Sequence, residues 1–158
     1  MDQDQRRVTL ERLDEGVYLA RNARGAELRF GSKADDAFSP VELLLAAIAG
    51  CTSVDVDVVT GRRATADSFG ATIDARYVRD ETGNRLADIH LSLQVSFPEG
   101  EAGDAARAIL PRVLKNSHDR TCTVSRTIEA GTPVEVSVGP PPARPAAAED
   151  GVAPGTST

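Results

Sequence analysis

The sequence predicts an α+β protein in which helices pack on antiparallel sheet, with the element order βββ-α-ββ-α-α-β. Three observations predict this class. Several short segments alternate apolar and polar residues, which is the period of half-buried strands. One long apolar segment follows helical spacing. Clusters of Gly, Pro, Asp and Asn separate each segment from the next, as turns do.

Three short strands come first, over Val8–Leu13, Val17–Asn22 and Ala26–Phe30. The turns between them are Asp14-Glu15-Gly16 and Ala23-Arg24-Gly25. A long helix follows. Its apolar positions fall at helical spacing and predict one buried stripe, formed by Leu44, Ala47, Ile48, Cys51, Val54 and Val58.

The start of this helix is well marked. Ser39 suits the N-cap and Pro40 the first helical position. Glu42, three residues after Ser39, completes the pattern of a capping box.

Two alternating segments after Gly61 predict a hairpin that turns at residues 80–84. Their apolar residues are spaced by two, from Phe69 to Tyr77 and from Ala87 to Phe97. A helix is predicted over Ala102–Leu114, in which Pro111 should cause a kink or a break.

The last two elements are a short helix and a strand. The helix is predicted over Cys122–Ala130, because Gly131 and Pro133 close it. The strand is predicted over Val134–Val138. We therefore expect one folded domain over residues 1–138 and a disordered Pro/Ala/Gly-rich tail over residues 139–158.

Composition excludes several classes of function. The net charge of −6 and the pI near 4.9 disfavour a nucleic-acid partner or an anionic membrane surface. No apolar signal region opens the chain, and the longest apolar run, between Glu42 and Thr52, is about half of a membrane span. We expect a soluble cytoplasmic protein, in which two cysteines form a transient redox pair or stay free.

Cys51 lies on the apolar stripe of the long helix, so it is either a packed core thiol or a reactive sulfur in a closed pocket. Gly50 beside it disfavours a plain core helix and suggests that a backbone or a substrate approaches closely. Cys122 stands at a helix start, near Arg120 and Arg126, where its thiol pKa should be lowered. Two such thiols could form a peroxidatic–resolving pair.

These cysteine segments resemble those of the OsmC/Ohr family. Residues 40–52, which run Pro-Val-Glu-Leu-Leu-Leu-Ala-Ala and end in Gly-Cys-Thr, resemble the family's first-cysteine helix. Cys-Thr-Val-Ser at 122–125 resembles its second-cysteine segment, and the similarity covers residues 8–138. The resemblance implies an intertwined homodimer that reduces organic hydroperoxides or hydrogen peroxide. It also implies that Cys51 is the peroxidatic thiol and Cys122 the resolving thiol.

The sequence departs from the family pattern at two places. The organic-hydroperoxide branch has Glu directly after the proline, where this chain has Val41, with Glu42 one residue later. Glu42 is therefore either a catalytic carboxylate or only a helix cap. The family's active-site arginine has no clear match. Strand alternation favours Arg21, in phase with Val17 and Leu19, before Arg24; the alternative is an exposed strand-end arginine.

The leading hypothesis is thus a thiol peroxidase of oxidative-stress defence, with a dithiol reductant and no metal or other cofactor. The two cysteines and two histidines lack the paired spacing of a zinc site. Nucleotide-binding and serine-hydrolase motifs are absent from the sequence. The alternative is a non-catalytic OsmC-like protein that binds a small hydrophobic ligand at the dimer interface, which Val41 favours.

Overall fold

Five strands and three α-helices make up the part of the chain that the computed structural model describes, residues 4–139. The predicted α+β class is confirmed, and every predicted element but the last is present. A single π-helical turn, Ser117–Thr121, stands between the second and third helices and is called the π-turn below. The bounds are β1 Val8–Asp14, β2 Val17–Asn22, β3 Glu27–Gly31, α1 Pro40–Thr60, β4 Ser68–Asp80, β5 Gly83–Ser96, α2 Glu101–Asn116 and α3 Thr123–Glu129.

The first sheet is antiparallel in the order β1-β2-β3. Residues that pair across strands share a face, and Arg21 pairs with Thr9 and with Glu27. Arg21 therefore lies on a charged face, and the prediction that it points to the core side is wrong. The apolar face is the opposite one, formed by Val8, Leu10, Tyr18, Ala20, Leu28 and Phe30.

The second sheet is the predicted hairpin of β4 and β5. Its register shifts near Asp88, which has a positive φ of 52°. This β-bulge places one extra residue in β5, so the alternation changes face there. Ala87 consequently pairs with Arg76 and does not continue the apolar row of β5, which runs through Leu91.

Helix α1 begins at the predicted capping box. Ser39 is the N-cap, its side chain accepts from the Glu42 amide, and the Glu42 carboxylate accepts from the Ser39 amide at 2.7 Å. The buried stripe differs from the predicted one, since it consists of Ile48, Thr52, Val56 and Thr60. Cys51 therefore lies at the edge of the buried face and is only half-buried.

Helix α1 has 21 residues, and its apolar stretch has a mean hydropathy of 1.7. By length and composition it could cross a membrane, although the central helix of a soluble protein often meets the same criterion. Its main contacts are with α2, β4, α3 and the π-turn. Only 22% of that stretch is buried, so much of its apolar surface is uncovered within the single chain.

The last predicted strand is not formed. Residues 132–139 have no regular secondary structure, and Val134, Val136 and Val138 are 86%, 91% and 102% exposed. A strand needs a neighbouring edge for its backbone hydrogen bonds, and within residues 4–139 no strand pairs with this segment. In contrast, α2 continues through Pro111 to Asn116, so no break occurs there. The predicted tail, beyond Gly139, lies outside the described residues.

Two helical glycines allow a matched test of this packing. Gly103 is buried, and a Cβ placed on it would lie 1.8 Å from the Pro98 carbonyl oxygen. We expect Gly103→Ala to lower the free energy of unfolding by about 2–3 kcal/mol, because α2 must shift away from that carbonyl. Urea unfolding monitored by circular dichroism measures the change.

Gly50→Ala is the matched control. No atom of the chain lies within 4 Å of a Cβ on Gly50, so the predicted close approach of a backbone does not occur within one chain. Alanine should stabilise this site by about 1 kcal/mol through helix propensity. A loss of stability would instead show that a second subunit approaches Gly50.

Candidate functional site

The two cysteines lie against each other where α1 packs on α3. Cys51 comes from the middle of α1 and Cys122 is the N-cap of α3, and the two thiols are close enough for each to shift the pKa of the other. No disulfide joins the two sulfurs in this structure. Cys122 is 0% exposed whereas Cys51 is half-buried, so Cys51 is the sulfur that a small molecule can reach.

Cys122 occupies the position that Ser or Thr usually takes at a helix start. The Ser125 amide donates to the Cys122 sulfur at 3.5 Å, and the Ser125 hydroxyl lies 3.2 Å from the same atom. The Thr52 hydroxyl donates to it from α1 at 3.7 Å. The Cys122 sulfur is therefore enclosed by polar groups in an otherwise apolar setting.

These contacts decide the acidity of Cys122. Burial raises the pKa of the thiol, but the hydrogen bonds from Ser125, Cys51 and Thr52 outweigh it, so the pKa lies below its ordinary value. The predicted acidic character of Cys122 is thus supported. The main causes are these hydrogen bonds, whereas the prediction relied on the flanking arginines.

Cys51 is shifted in the opposite direction. Burial raises the pKa of the Cys51 thiol, and the neighbouring Cys122 and Asp55 raise it further, against the lowering effect of the Val124 amide. Asp55 lies one helical turn beyond Cys51, and it accepts hydrogen bonds from Ser117 at 2.7 Å and Thr121 at 2.6 Å. Within one chain, the pKa of the Cys51 thiol therefore lies above its ordinary value.

Glu42 caps α1. Its carboxylate accepts from the Ser39 amide and the Ser39 hydroxyl, and these bonds lower the pKa of Glu42. The predicted capping box is therefore present, and a catalytic role of Glu42 stays a prediction.

Arg21 is not brought to the thiols. Its guanidinium donates to Glu27 at 2.6 Å and to Glu11 at 2.5 Å on the exposed charged face of the first sheet. The first sheet has its main contacts within itself, and α1 has its main contacts elsewhere. The structure therefore supplies no Arg21 cation to Cys51 within one chain.

A cavity of about 420 Å³ adjoins the thiol pair. Thr52 and Ser125, the two residues whose hydroxyls contact the Cys122 sulfur, line it. His118 and Glu129, whose side chains lie 3.6 Å apart, and His90 provide its other polar groups. Its walls are apolar and consist of Ile48, Ile89, Leu91, Leu93, Leu114 and Ile128.

Sequence reasoning missed Thr52, Ser125 and Val124 as parts of the site. Ser125 could have been found, because the residue three positions after an N-cap is the usual partner of the capping side chain. Nothing local indicates that Thr52 reaches Cys122, 70 residues away in the chain.

Known proteins resemble this chain over most of its length. A family model described as "OsmC-like protein" matches residues 32–137. An uncharacterized protein of Mycobacterium tuberculosis is 30% identical over 130 residues, which cover 82% of this chain and 93% of the relative.

Solved structures share the fold. An OsmC-like protein of unknown function from Vibrio cholerae has a TM-score of 0.63 at 15% identity and covers 82% of this chain and 95% of its own. A Legionella pneumophila protein described as an organic hydroperoxide resistance protein has a TM-score of 0.52 at 13% identity. That match covers 81% of this chain and 91% of the Legionella chain. At these identities the likeness concerns the fold alone.

Proposed function

This chain belongs to the OsmC-like protein family, and from that membership and the geometry of its thiols we propose that it is a cysteine-based peroxidase. Its substrates are organic hydroperoxides or hydrogen peroxide, and its role is defence against oxidative stress. The contact between the Cys51 and Cys122 thiols carries the proposal. A sulfenic acid on one can reach the other without a large movement of the backbone.

Cys51 is the proposed peroxidatic thiol because it is the more exposed sulfur. Its thiolate attacks the terminal peroxide oxygen, the O–O bond breaks, and Cys51 becomes a sulfenic acid; the alkoxide or hydroxide that leaves takes a proton from water to give the alcohol or water. The Cys122 thiolate then attacks the Cys51 sulfur and expels hydroxide, which forms the disulfide. A dithiol reductant returns both cysteines to thiols and is itself oxidised to a disulfide.

The proposed active unit is a homodimer. Apolar side chains remain exposed on β1, on α1 and in the C-terminal segment, among them Leu10, Val54 and Val136, which are 61%, 62% and 91% exposed. A second copy that covers them would remove this apolar area from water. We also propose Arg21 as the cation near the Cys51 sulfur, with Glu42 as its carboxylate partner. This proposal holds only in a dimer in which the first sheet of one subunit lies against α1 of the other.

The family fold is that of soluble proteins, and we propose the cytoplasm as the compartment. A reducing compartment suits the cycle, because it provides dithiols that return the disulfide to two thiols.

Binding of a small apolar ligand is a second candidate function, and the cavity favours it. Its volume of about 420 Å³ and its six apolar wall residues suit a small hydrophobic molecule, with the Thr52 and Ser125 hydroxyls as polar partners. Cys51 is not among the residues that line it, so a bound ligand need not meet the reactive sulfur.

Thiol titration after one equivalent of cumene hydroperoxide tests the two functions against each other. We expect both titratable thiols to disappear, because oxidation of Cys51 is followed by formation of the Cys51–Cys122 disulfide. Ellman's reagent under denaturing conditions measures the free thiols, and peptide mapping identifies the disulfide. If both thiols stay free while the fold is intact, the peroxidase proposal fails and the ligand-binding function is favoured.

A further inference from the structure

One carboxylate joins the turn before Cys122 to the helix that carries Cys51. Asp55 lies on α1, one helical turn beyond Cys51, and is half-buried. Its Oδ2 atom accepts hydrogen bonds from the Ser117 hydroxyl at 2.7 Å and from the Thr121 hydroxyl at 2.6 Å. These two residues are the first and the last of the π-turn, and Cys122 follows directly. A single oxygen atom thus binds both ends of the π-turn to α1.

The π-turn depends on such contacts. A π-helical turn is a rare conformation that occurs mostly as a single turn, frequently at functional sites. Its closing backbone hydrogen bond runs from the Cys122 amide to the Ser117 carbonyl at 2.8 Å. Ser117 is only 1% exposed, so its hydroxyl would lie buried without an acceptor if it left Asp55. The start of the turn is therefore fixed to α1, and the turn in turn fixes the backbone of Cys122.

We propose that Asp55 is a positioning residue for the disulfide, which holds the Cys122 sulfur beside the Cys51 sulfur so that the two can bond without a rearrangement of α1 and α3. This inference rests on the proposed peroxidase function and deepens it, by assigning a residue to its second step. Thr52 makes a further connection from α1, since its hydroxyl donates to the Cys122 sulfur at 3.7 Å. Asp55 thus holds the backbone before Cys122, and Thr52 holds the sulfur itself.

Positioning matters in the second step because both reacting sulfurs belong to the chain. The Cys122 thiolate attacks the sulfur of the Cys51 sulfenic acid, the S–S bond forms as the S–O bond breaks, and hydroxide leaves. The hydroxide takes up the proton that the Cys122 thiol gave to water, so the net products are the disulfide and water. The Cys122 sulfur is oxidised and the Cys51 sulfur is reduced, each to the disulfide level. Holding the two sulfurs together beforehand removes an ordering cost from this step.

The charge of Asp55 and its hydrogen bonds have separate effects. Burial and the neighbouring Cys122 raise the pKa of the Cys51 thiol, and the negative charge of Asp55 adds to them, which disfavours the first step. The hydrogen bonds to the π-turn favour the second step. Asp55→Asn separates the two, because an amide oxygen can still accept from both hydroxyls but carries no charge.

The first test needs no peroxide. The protein is equilibrated in glutathione buffers, quenched with acid and alkylated, and the fraction of Cys51–Cys122 disulfide gives its equilibrium constant against glutathione. Asp55→Ala should lower this constant about tenfold, because the two sulfurs are no longer held together in the dithiol form. Asp55→Asn should stay within about threefold of the wild type, since neutral hydrogen bonds replace the charged ones.

Asp57→Ala is the matched control. Asp57 is an exposed carboxylate on the same helix, and among residues 4–139 no hydrogen bond joins its side chain to the π-turn. Its removal changes the charge of α1 equally and should leave the equilibrium constant unchanged. Should Asp55→Ala fail to fold by circular dichroism, Thr121→Val takes its place. Thr121 is exposed and supplies one of the two hydrogen bonds, so this variant should lower the constant about threefold, and an unchanged constant overturns the inference.

With peroxide, the two steps should respond differently to Asp55→Ala. The first oxidation of Cys51, followed by stopped flow, should be no slower than in the wild type, because a negative charge near the thiol has been removed. The sulfenic acid, trapped with dimedone, should persist about ten times longer. A residue that only stabilises the fold would lower the unfolding midpoint and leave the lifetime of the sulfenic acid unchanged, which overturns the positioning role.

The outcomes separate this inference from the proposed function. A wild type whose Cys51 is never oxidised by peroxide overturns the peroxidase, while the glutathione equilibrium still tests Asp55. Equal equilibrium constants in wild type and Asp55→Ala overturn the positioning role and leave the peroxidase intact. The positioning role is also overturned if Asp55→Asn lowers the constant as far as Asp55→Ala, or if the wild type forms no Cys51–Cys122 disulfide in glutathione.

Discussion

Replacing the more accessible of the two sulfurs, Cys51→Ser, should reduce peroxide consumption to the level of buffer alone. A serine hydroxyl stays protonated at neutral pH and cannot form the sulfenic acid, so no first step remains. The fold should persist, because Cys51 is half-buried at the edge of the α1 buried face and a hydroxyl there can reach water. Consumption of cumene hydroperoxide, followed with a ferrous xylenol orange assay, measures the loss.

Cys122→Ser is the informative counterpart. Its Cys51 should still be oxidised in a first turnover, but the product cannot form the disulfide. Mass spectrometry should therefore find oxygen added to the Cys51 peptide, as sulfenic or more highly oxidised forms. If wild type and Cys51→Ser consume peroxide equally, the peroxidase assignment is wrong, and Cys51 is a packing thiol.

The second large effect concerns assembly. Sedimentation should give twice the 16.7 kDa chain mass at micromolar concentration, and Val136→Asp should shift the protein to monomers. Val136 is 91% exposed and alternates with Val134 and Val138, so a subunit that pairs with this segment buries one valine face. Burial of a carboxylate there costs several kcal/mol more than burial of the valine.

Glu135→Lys is the matched control for this segment. Glu135 is exposed and, by the alternation of an extended chain, lies on the opposite face from Val136. Glu135→Lys should therefore leave the mass measured by sedimentation unchanged. A stable folded monomer in the wild type would contradict the dimer, and a dimer that survives Val136→Asp would show that the C-terminal segment is not part of the interface.

Local sequence patterns predicted an element correctly where the contacts that determine it join residues close in the chain. The capping box at Ser39 and Glu42, the hairpin of β4 and β5 and the helix that begins after Cys122 all depend on residues near one another in the chain. The family resemblance was equally accessible, because it rests on two short segments around Cys51 and Cys122.

The sequence patterns gave wrong predictions where the surface that buries an element comes from a distant part of the chain. Alternation shows that β2 has two faces, but not which of them is charged, and Arg21 was assigned to the wrong one. The buried face of α1 was predicted wrongly for the same reason, since α2, α3 and β4 determine which side of the helix is buried. The final strand was predicted from alternating valines, yet a strand also needs a neighbouring edge.

The sequence by itself determined the α+β class, the order of the elements through α3, the family and the two cysteines. Only the tertiary structure decided how those cysteines differ. It packs α1 against α3, which directs Thr52 and Ser125 to the Cys122 sulfur and places Asp55 near Cys51. The physical reason is that a thiol pKa depends on burial and on donors a few ångströms away, whatever their distance along the chain.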